Sequence, residues 1–187
     1  MEDPILFAVT TLAIMAAPGP THALLATSGA SAGFRRSAHL LSAVASAFAL
    51  TVILVGGLLG PHLTGEARTV LGVLAGLYLG ILAVRLWQGS ASGGSVLVRW
   101  RHVFVATLLN PKGLVLALVV VPMYRPDAWL YVGATALFAV AAGSAWIGSG
   151  ALLRSVGGDR IRAMVPRVSS AALAASALLV VVSVLVG

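Results

Sequence analysis

Ala16-Ala17-Pro18-Gly19-Pro20-Thr21-His22 breaks an apolar stretch that runs from Ile5 to about Thr27. Asn110-Pro111-Lys112-Gly113 breaks another, from Val103 to Pro122. Pro18 and Asn110 lie 92 residues apart in a chain of 187, so the two breaks occupy matching places in its halves. Proline lacks a backbone donor and clashes with the preceding turn, so each motif opens a helix. In hydrocarbon the freed backbone groups must be buried in protein or line a wet cavity. Matched, interrupted apolar segments in two halves are a pointer to a transporter's binding site.

The composition places these stretches in a membrane. The chain is 59% hydrophobic and 9% charged, with a mean hydropathy of +1.03. A soluble domain carries about 25% charged residues, so this chain cannot cover itself with a soluble surface. Continuous apolar runs argue against a β-barrel, whose strands alternate polar and apolar positions. Six segments, about 5–27, 38–60, 68–88, 103–122, 129–153 and 165–186, are apolar enough to cross ~30 Å of hydrocarbon. Loops are expected from Gly29 to Ser37, Pro61 to Ala67, Gly89 to His102, Met123 to Ala128 and Arg154 to Met164. The acidic start Met1-Glu2-Asp3-Pro4 is not that of a cleavable signal peptide.

Charge sets the expected orientation. With the N-terminus outside, nine arginines (35, 36, 85, 99, 101, 154, 160, 162 and 167) fall on inner loops. Arg68 and Arg125 fall outside, together with Glu2, Asp3, Glu66 and Asp127. Basic residues near membrane ends favour the cytoplasmic side, so both termini are expected outside. This scatter through short loops also argues against nucleic-acid binding, despite a net charge of +7. Three crossings per half force the second half to enter the membrane in the opposite sense. The expectation is an all-α polytopic membrane protein with six transmembrane helices. They form two inverted three-helix repeats with broken first and fourth helices, in a single membrane domain. Residues 1–88 form one repeat, 89–102 the connector and 103–187 the other.

The breaks also hold the candidate site. Pro20 suits the first turn of a new helix, and Gly19 allows a conformation that a side chain would block. The half-helix starting there presents free N–H groups and a positive dipole end, suited to a carboxylate. Thr21 is a candidate cap for it. Lys112 is an ionisable residue ten positions past His102, about 15 Å along a helix. No aspartate or glutamate lies in any of the six segments, so its candidate partners are freed carbonyls, the Asn110 amide or a substrate carboxylate. His22 reads equally as a proton carrier or as a structural histidine bonded to freed carbonyls. His39 is expected at the interface, while His62 and His102 are loop residues.

Trp87, Trp100, Tyr124, Trp129 and Tyr131 lie at segment ends, as an aromatic belt requires. Tyr78 and Trp146 are mid-segment and by default pack. Gly72, Gly76 and Gly80, Gly56 and Gly60, and the alanines at 171, 172, 174 and 175 form small-residue stripes for close helix packing. A homodimer seam is their alternative use. No cysteine is present, so disulfides and thiolate metal sites are excluded. The histidines and acids lack metal-ligand spacing, and no Walker loop or membrane-facing Ser-His-Asp set exists, so neither a metal, a cofactor nor an enzyme activity is expected.

Ala16-Ala17-Pro18-Gly19-Pro20, Gly33-Phe34-Arg35-Arg36-Ser37 and Asn110-Pro111-Lys112-Gly113 resemble motifs of the lysine-exporter (LysE/RhtB) family of amino-acid exporters. Length, six-segment layout and motif positions agree over essentially the whole chain. The resemblance implies proton-driven export of amino acids or related small metabolites across the bacterial cytoplasmic membrane. It also implies substrate-pathway roles for Pro18, Gly19, Pro20, Asn110, Pro111 and Lys112. Family members often carry an acidic or amide residue just after the first motif, where this chain has Thr21 and His22. The alternative functions are a small-solute or ion channel, a metal-ion exporter of similar architecture, and a membrane scaffold. The scarcity of carboxylates counts against a cation pathway.

Overall fold

The computed structural model describes residues 3–59, 65–91 and 97–186, and among them every regular element is helical. Helix α1 (Pro4–Ala16) starts where its sequence dictates. The Asp3 carboxylate accepts from the Ile5 and Leu6 amides at 2.7 and 3.3 Å, with Pro4 at the first helical position. Helix α2 (Pro20–Ala32) follows the first break at an angle of 61° to α1. Helices α3 (Phe34–Ser37) and α4 (Leu40–Thr51) and a π-helical stretch (Val52–Leu59) complete the next span. Helix α5 is Gly65–Ala91. Helices α6 (Trp100–Leu108) and α7 (Pro111–Val115) flank the second break, and α7 continues into a second π-helical turn (Leu116–Val120), bent 48° from α6. Helix α8 is Ala128–Val186.

Among the described residues, two helical stretches, Phe34–Leu58 and Ala128–Val156, are long and apolar enough to cross a membrane, or up to four if each bent pair is one span. Val73–Gln88 and Met164–Leu178 are shorter apolar helices.

Several expected loops are corrected. The loop Gly29–Ser37 shrinks to one residue, Gly33, because its φ of +83° lets the chain leave α2 and re-enter helix at once. Arg154 then donates from Nη1 to the Ser31 carbonyl at 3.1 Å, satisfying the end of α2. The expected loop Arg154–Met164 is helical throughout. Its arginines, alanine and methionine are good helix formers, and Gly157 and Gly158 cost only about 1 kcal/mol each. The expected loop Met123–Ala128 forms over Met123–Asp127, clipped by Arg125 and Asp127 (Nε to Oδ1, 2.8 Å), with Ala128 already in α8. That pairing holds the Asp127 carboxyl below the usual carboxylate range and the Arg125 guanidinium above its own. His102 is not a loop residue but lies in the first turn of α6, where its ring accepts from the Arg99 amide at 3.4 Å. Of the expected loop Pro61–Ala67, residues 65–67 belong to α5, while residues 60–64, with Gly60 and His62, and connector residues 92–96 lie outside the described residues.

Helices α2 and α8 pack at backbone contact. A Cβ on Gly29 would overlap the Ile147 carbonyl, and one on Gly150 would overlap the Ala26 carbonyl. Farther along, Gly76 of α5 meets Val181 and Ala177 of α8, and Ser170 donates to the Ala83 carbonyl at 2.8 Å. Gly56 brings the two π-helical stretches together, since a Cβ there would lie 2.6 Å from the Ala117 carbonyl. The stripes of small residues at Gly56 and Gly76 therefore serve intramolecular packing, while a Cβ on Gly80 would meet nothing within 4 Å. The alanine row serves it only through Ala172, which packs against the core: Ala171, Ala174 and Ala175 are exposed, and Leu173, Ala177 and Ser170 form the buried face. Tyr131 also leaves the expected belt. It is buried edge-on against Phe7, ring centroids 4.8 Å apart, because α1 covers the start of α8.

Gly29→Ala and Gly150→Ala should each lower the thermal stability of the purified chain by about 1–3 kcal/mol, the usual cost of overpacking a closed interface. Gly148→Ala, whose Cβ would meet nothing within 4 Å, should be neutral or stabilising by up to ~1 kcal/mol. Thermal unfolding in one detergent compares all three.

Candidate functional site

Both breaks form where the sequence places them, and they meet. Ala17 turns extended (ψ 137°) at the end of α1, so its carbonyl leaves the helical ladder. Neither Pro18 nor Pro20 has an N–H to offer it. Two side chains do: His22 Nδ1, 3.0 Å away, and Lys112 Nζ, arriving from the second break. A carbonyl oxygen only accepts, so His22 carries its proton on Nδ1 in this contact, and both lone pairs of Ala17 are used.

The close approach of Lys112 explains Gly19 differently from its sequence reading. Its φ of −170° is extended backbone open to any residue. A Cβ there would instead sit 3.3 Å from both Cε and Nζ of Lys112. Glycine leaves room for the lysine.

A second set of contacts joins the breaks through buried groups. Thr107 Oγ1 donates to the Val103 carbonyl at 2.7 Å, which uses its only proton. It must therefore accept from Thr21 Oγ1 at 3.0 Å. Thr21 in turn accepts from Asn110 Nδ2 at 3.3 Å, and Asn110 Oδ1 accepts from the Lys112 amide at 3.1 Å. The donors thus run one way, from Lys112 through Asn110 and Thr21 to Thr107. Asn110 caps α7 with the same oxygen, and Pro111 takes the first helical position. Thr21, Thr107, Asn110 and His22 are all buried.

Thr21 is consequently not the cap of α2. The cap position is Gly19, and no side chain closes that helix end. His22 stacks on Trp146 of α8, centroids 5.3 Å apart and rings 7° from parallel, which gives that mid-segment tryptophan a specific partner. Pro18 and Pro111 are exposed and Lys112 is half-buried, while Pro20 is buried at the start of α2. All eight sequence candidates (Pro18, Gly19, Pro20, Thr21, His22, Asn110, Pro111 and Lys112) therefore lie at the two joined breaks. Thr107 and the Ala17 carbonyl were not among them. Thr107 carries no motif signal, and a carbonyl has no sequence signature except through the prolines that free it.

Chemically, the arrangement offers an ammonium with two donors beyond the one on Ala17, an uncapped helix N-terminus and exposed backbone. No group of three or more metal-ligating side chains occurs among the described residues. In comparisons with family models, curated proteins and solved structures, nothing matches the chain.

Thr21→Val and Thr107→Val should each destabilise the fold by about 1–3 kcal/mol, since each leaves a buried donor without its acceptor. The double variant should lose less than the two single losses combined, because both remove the same link. Thr→Ser at either position should restore stability. Denaturation of these five variants and the wild type in detergent measures the coupling.

Proposed function

We propose that the chain is a polytopic membrane protein that exports amino acids or related small metabolites as a secondary transporter. The observation that carries this reading is the contact of Lys112, at the second break, with the Ala17 carbonyl and Gly19 of the first. Two helix breaks a half-chain apart thereby make one polar site between helices of membrane character. The substrate carboxylate would bind Lys112 and the open N-terminus of α2. Its ammonium would meet backbone carbonyls, because the spans contain no aspartate or glutamate. The contacts of His22 with Ala17 and Trp146 favour a positioning role for it at the first break.

The order of contacts supports alternating crossings. Ala17 meets Lys112 while Thr21 meets Thr107, so α2 and the α6–α7 pair run in opposite senses. His22 meets Trp146 and Ser31 meets Arg154, so α2 and the first part of α8 run in the same sense. Gly76 meets Val181 and Ala83 meets Ser170, which sets α5 against the last part of α8. Rows of exposed apolar residues, such as Ile5, Val9 and Leu12 on α1 and Leu74, Leu77, Ile81 and Val84 on α5, suit contact with lipid. Six crossings as two inverted repeats, in the cytoplasmic membrane of a bacterium with both termini outside, complete the proposal. They require α8 to reverse near its charged stretch 154–164, a stretch that is helical in the structure.

Lys112→Ala should abolish export of the substrate found by a toxicity-relief screen with amino-acid analogues and dipeptides, while its level in the membrane stays normal. Export at the full rate in that variant would leave the lysine structural. Collapse of the proton gradient should stop wild-type export, whereas a passive channel would be unaffected. In this cysteine-free background, Gly65→Cys should react with an impermeant reagent from outside and Ser155→Cys only from inside. The reverse pattern overturns the orientation.

A further inference from the structure

A separate cavity of about 310 Å³ lies where α2 ends, between Ser28, Ser31, Arg36, His39, Leu97 and Val98. Ligand sites for small molecules start at about 300 Å³, so the space is of a size that suits an amino acid or a lipid headgroup. One wall is apolar, from Leu97 and Val98. The other is polar and basic. Ser28 shares a 2.8 Å hydrogen bond with Ser37, both buried, and either hydroxyl can be the donor. His39 donates from Nδ1 to the Arg36 carbonyl at 2.8 Å, which fixes the corner between α3 and α4 and leaves Nε2 uncommitted.

The Arg36 guanidinium is the group that the fold does not use. The ion pair formed among the described residues is Arg125–Asp127, and no carboxylate is paired with Arg36. The C-terminal end of α2 contributes a negative partial charge of about half a unit here, which by itself would repel an anion. Arg154 offsets it by donating to the Ser31 carbonyl, so Arg36 is free to face a ligand. A guanidinium presents its donors in a planar fork that matches two oxygens of a carboxylate or phosphate.

We propose that this cavity is a binding site for an oxyanion of the carboxylate or phosphate class, held by Arg36 with serine hydroxyls of α2 as further donors. The site stands on its own residues and does not rest on the export reading. It is distinct from the joined breaks, being one to three turns along α2 from His22. The anion is drawn either from solution or from the headgroup of a membrane lipid, and binding experiments tell the two sources apart.

The test uses the full chain purified in a neutral detergent. Glycerol 3-phosphate and glutamate serve as soluble probes by titration calorimetry, and phosphatidylglycerol against phosphatidylcholine as lipid probes by native mass spectrometry. Saturable binding of a soluble probe assigns the site to a solute; preference for phosphatidylglycerol alone assigns it to a lipid. In either case Arg36→Gln should weaken binding about tenfold, the loss expected for one charge-assisted pair. Arg36→Lys should fall between wild type and Arg36→Gln, because an ammonium keeps the charge but not the planar fork. Arg35→Gln, a neighbouring arginine outside the cavity lining, should change nothing. Absence of binding by every probe overturns the site. So does equal binding by wild type and Arg36→Gln, or an equal loss in Arg35→Gln, which would make the effect one of diffuse basic charge.

Discussion

One backbone carbonyl, that of Ala17, is bonded from both halves of this chain. It is free because α1 ends there and because neither nearby proline can donate to it. A free carbonyl in apolar surroundings costs several kcal/mol unless a donor reaches it. Here His22 reaches it from the same half and Lys112 from the other. The defect made by the first break is thus corrected by a residue of the second. Asn110 does the converse, capping its own helix with one end of its amide and bonding Thr21 with the other. Each break is a poor structure alone, and the pair is a well-bonded one.

That interdependence explains how much of the site could be read from the sequence. The prolines and glycine act within a few residues, so the positions of both breaks follow from local rules. The conspicuous cost of Lys112 in an apolar run likewise marks it without knowledge of the fold. Thr107 is different. Threonines are ordinary in apolar helices, and only its meeting with Thr21, 86 positions away, gives it a role. Trp146 and Tyr131 depend on the same kind of information, since what covers an aromatic ring is decided by which helix packs over it. Helix ends were the least legible. Gly33 ends α2 in a single residue because its φ is positive, whereas Gly157 and Gly158 sit within α8. The same residue type stops one helix and rides inside another, and the packing on either side makes the difference.

Close packing gives the site its frame. Gly29 and Gly150 place the backbones of α2 and α8 in direct contact, so the helix that starts at the first break is fixed along its far half. The near half is held by hydrogen bonds instead, to Thr107 and Asn110. A contact between carbonyl and glycine tolerates little sliding, because protein interiors are dense and respond to strain stepwise. Hydrogen bonds between short side chains can be exchanged for bonds to water or to a ligand. The two ends of α2 are therefore anchored by forces of different stiffness. In the proposed exporter this sets the broken end, and not the packed one, as the part that can rearrange around a substrate.

The sign of charge at the breaks constrains what such a site can hold. Lys112 is the one charged side chain of the eight candidate residues, and the six apolar segments contain no acid to balance it. A ligand that brings a carboxylate completes the site, satisfying the ammonium and the open end of α2 together. A ligand that brings only a cation would add a second positive charge a few ångströms from the first. At an effective dielectric constant of 20, two unit charges 4 Å apart repel by about 4 kcal/mol, more than a few backbone carbonyls return. A zwitterion lies between these cases, its carboxylate bound and its ammonium at the exposed carbonyl side. In the proposed exporter the charge at the breaks therefore favours a neutral zwitterion or an anion over a dibasic substrate.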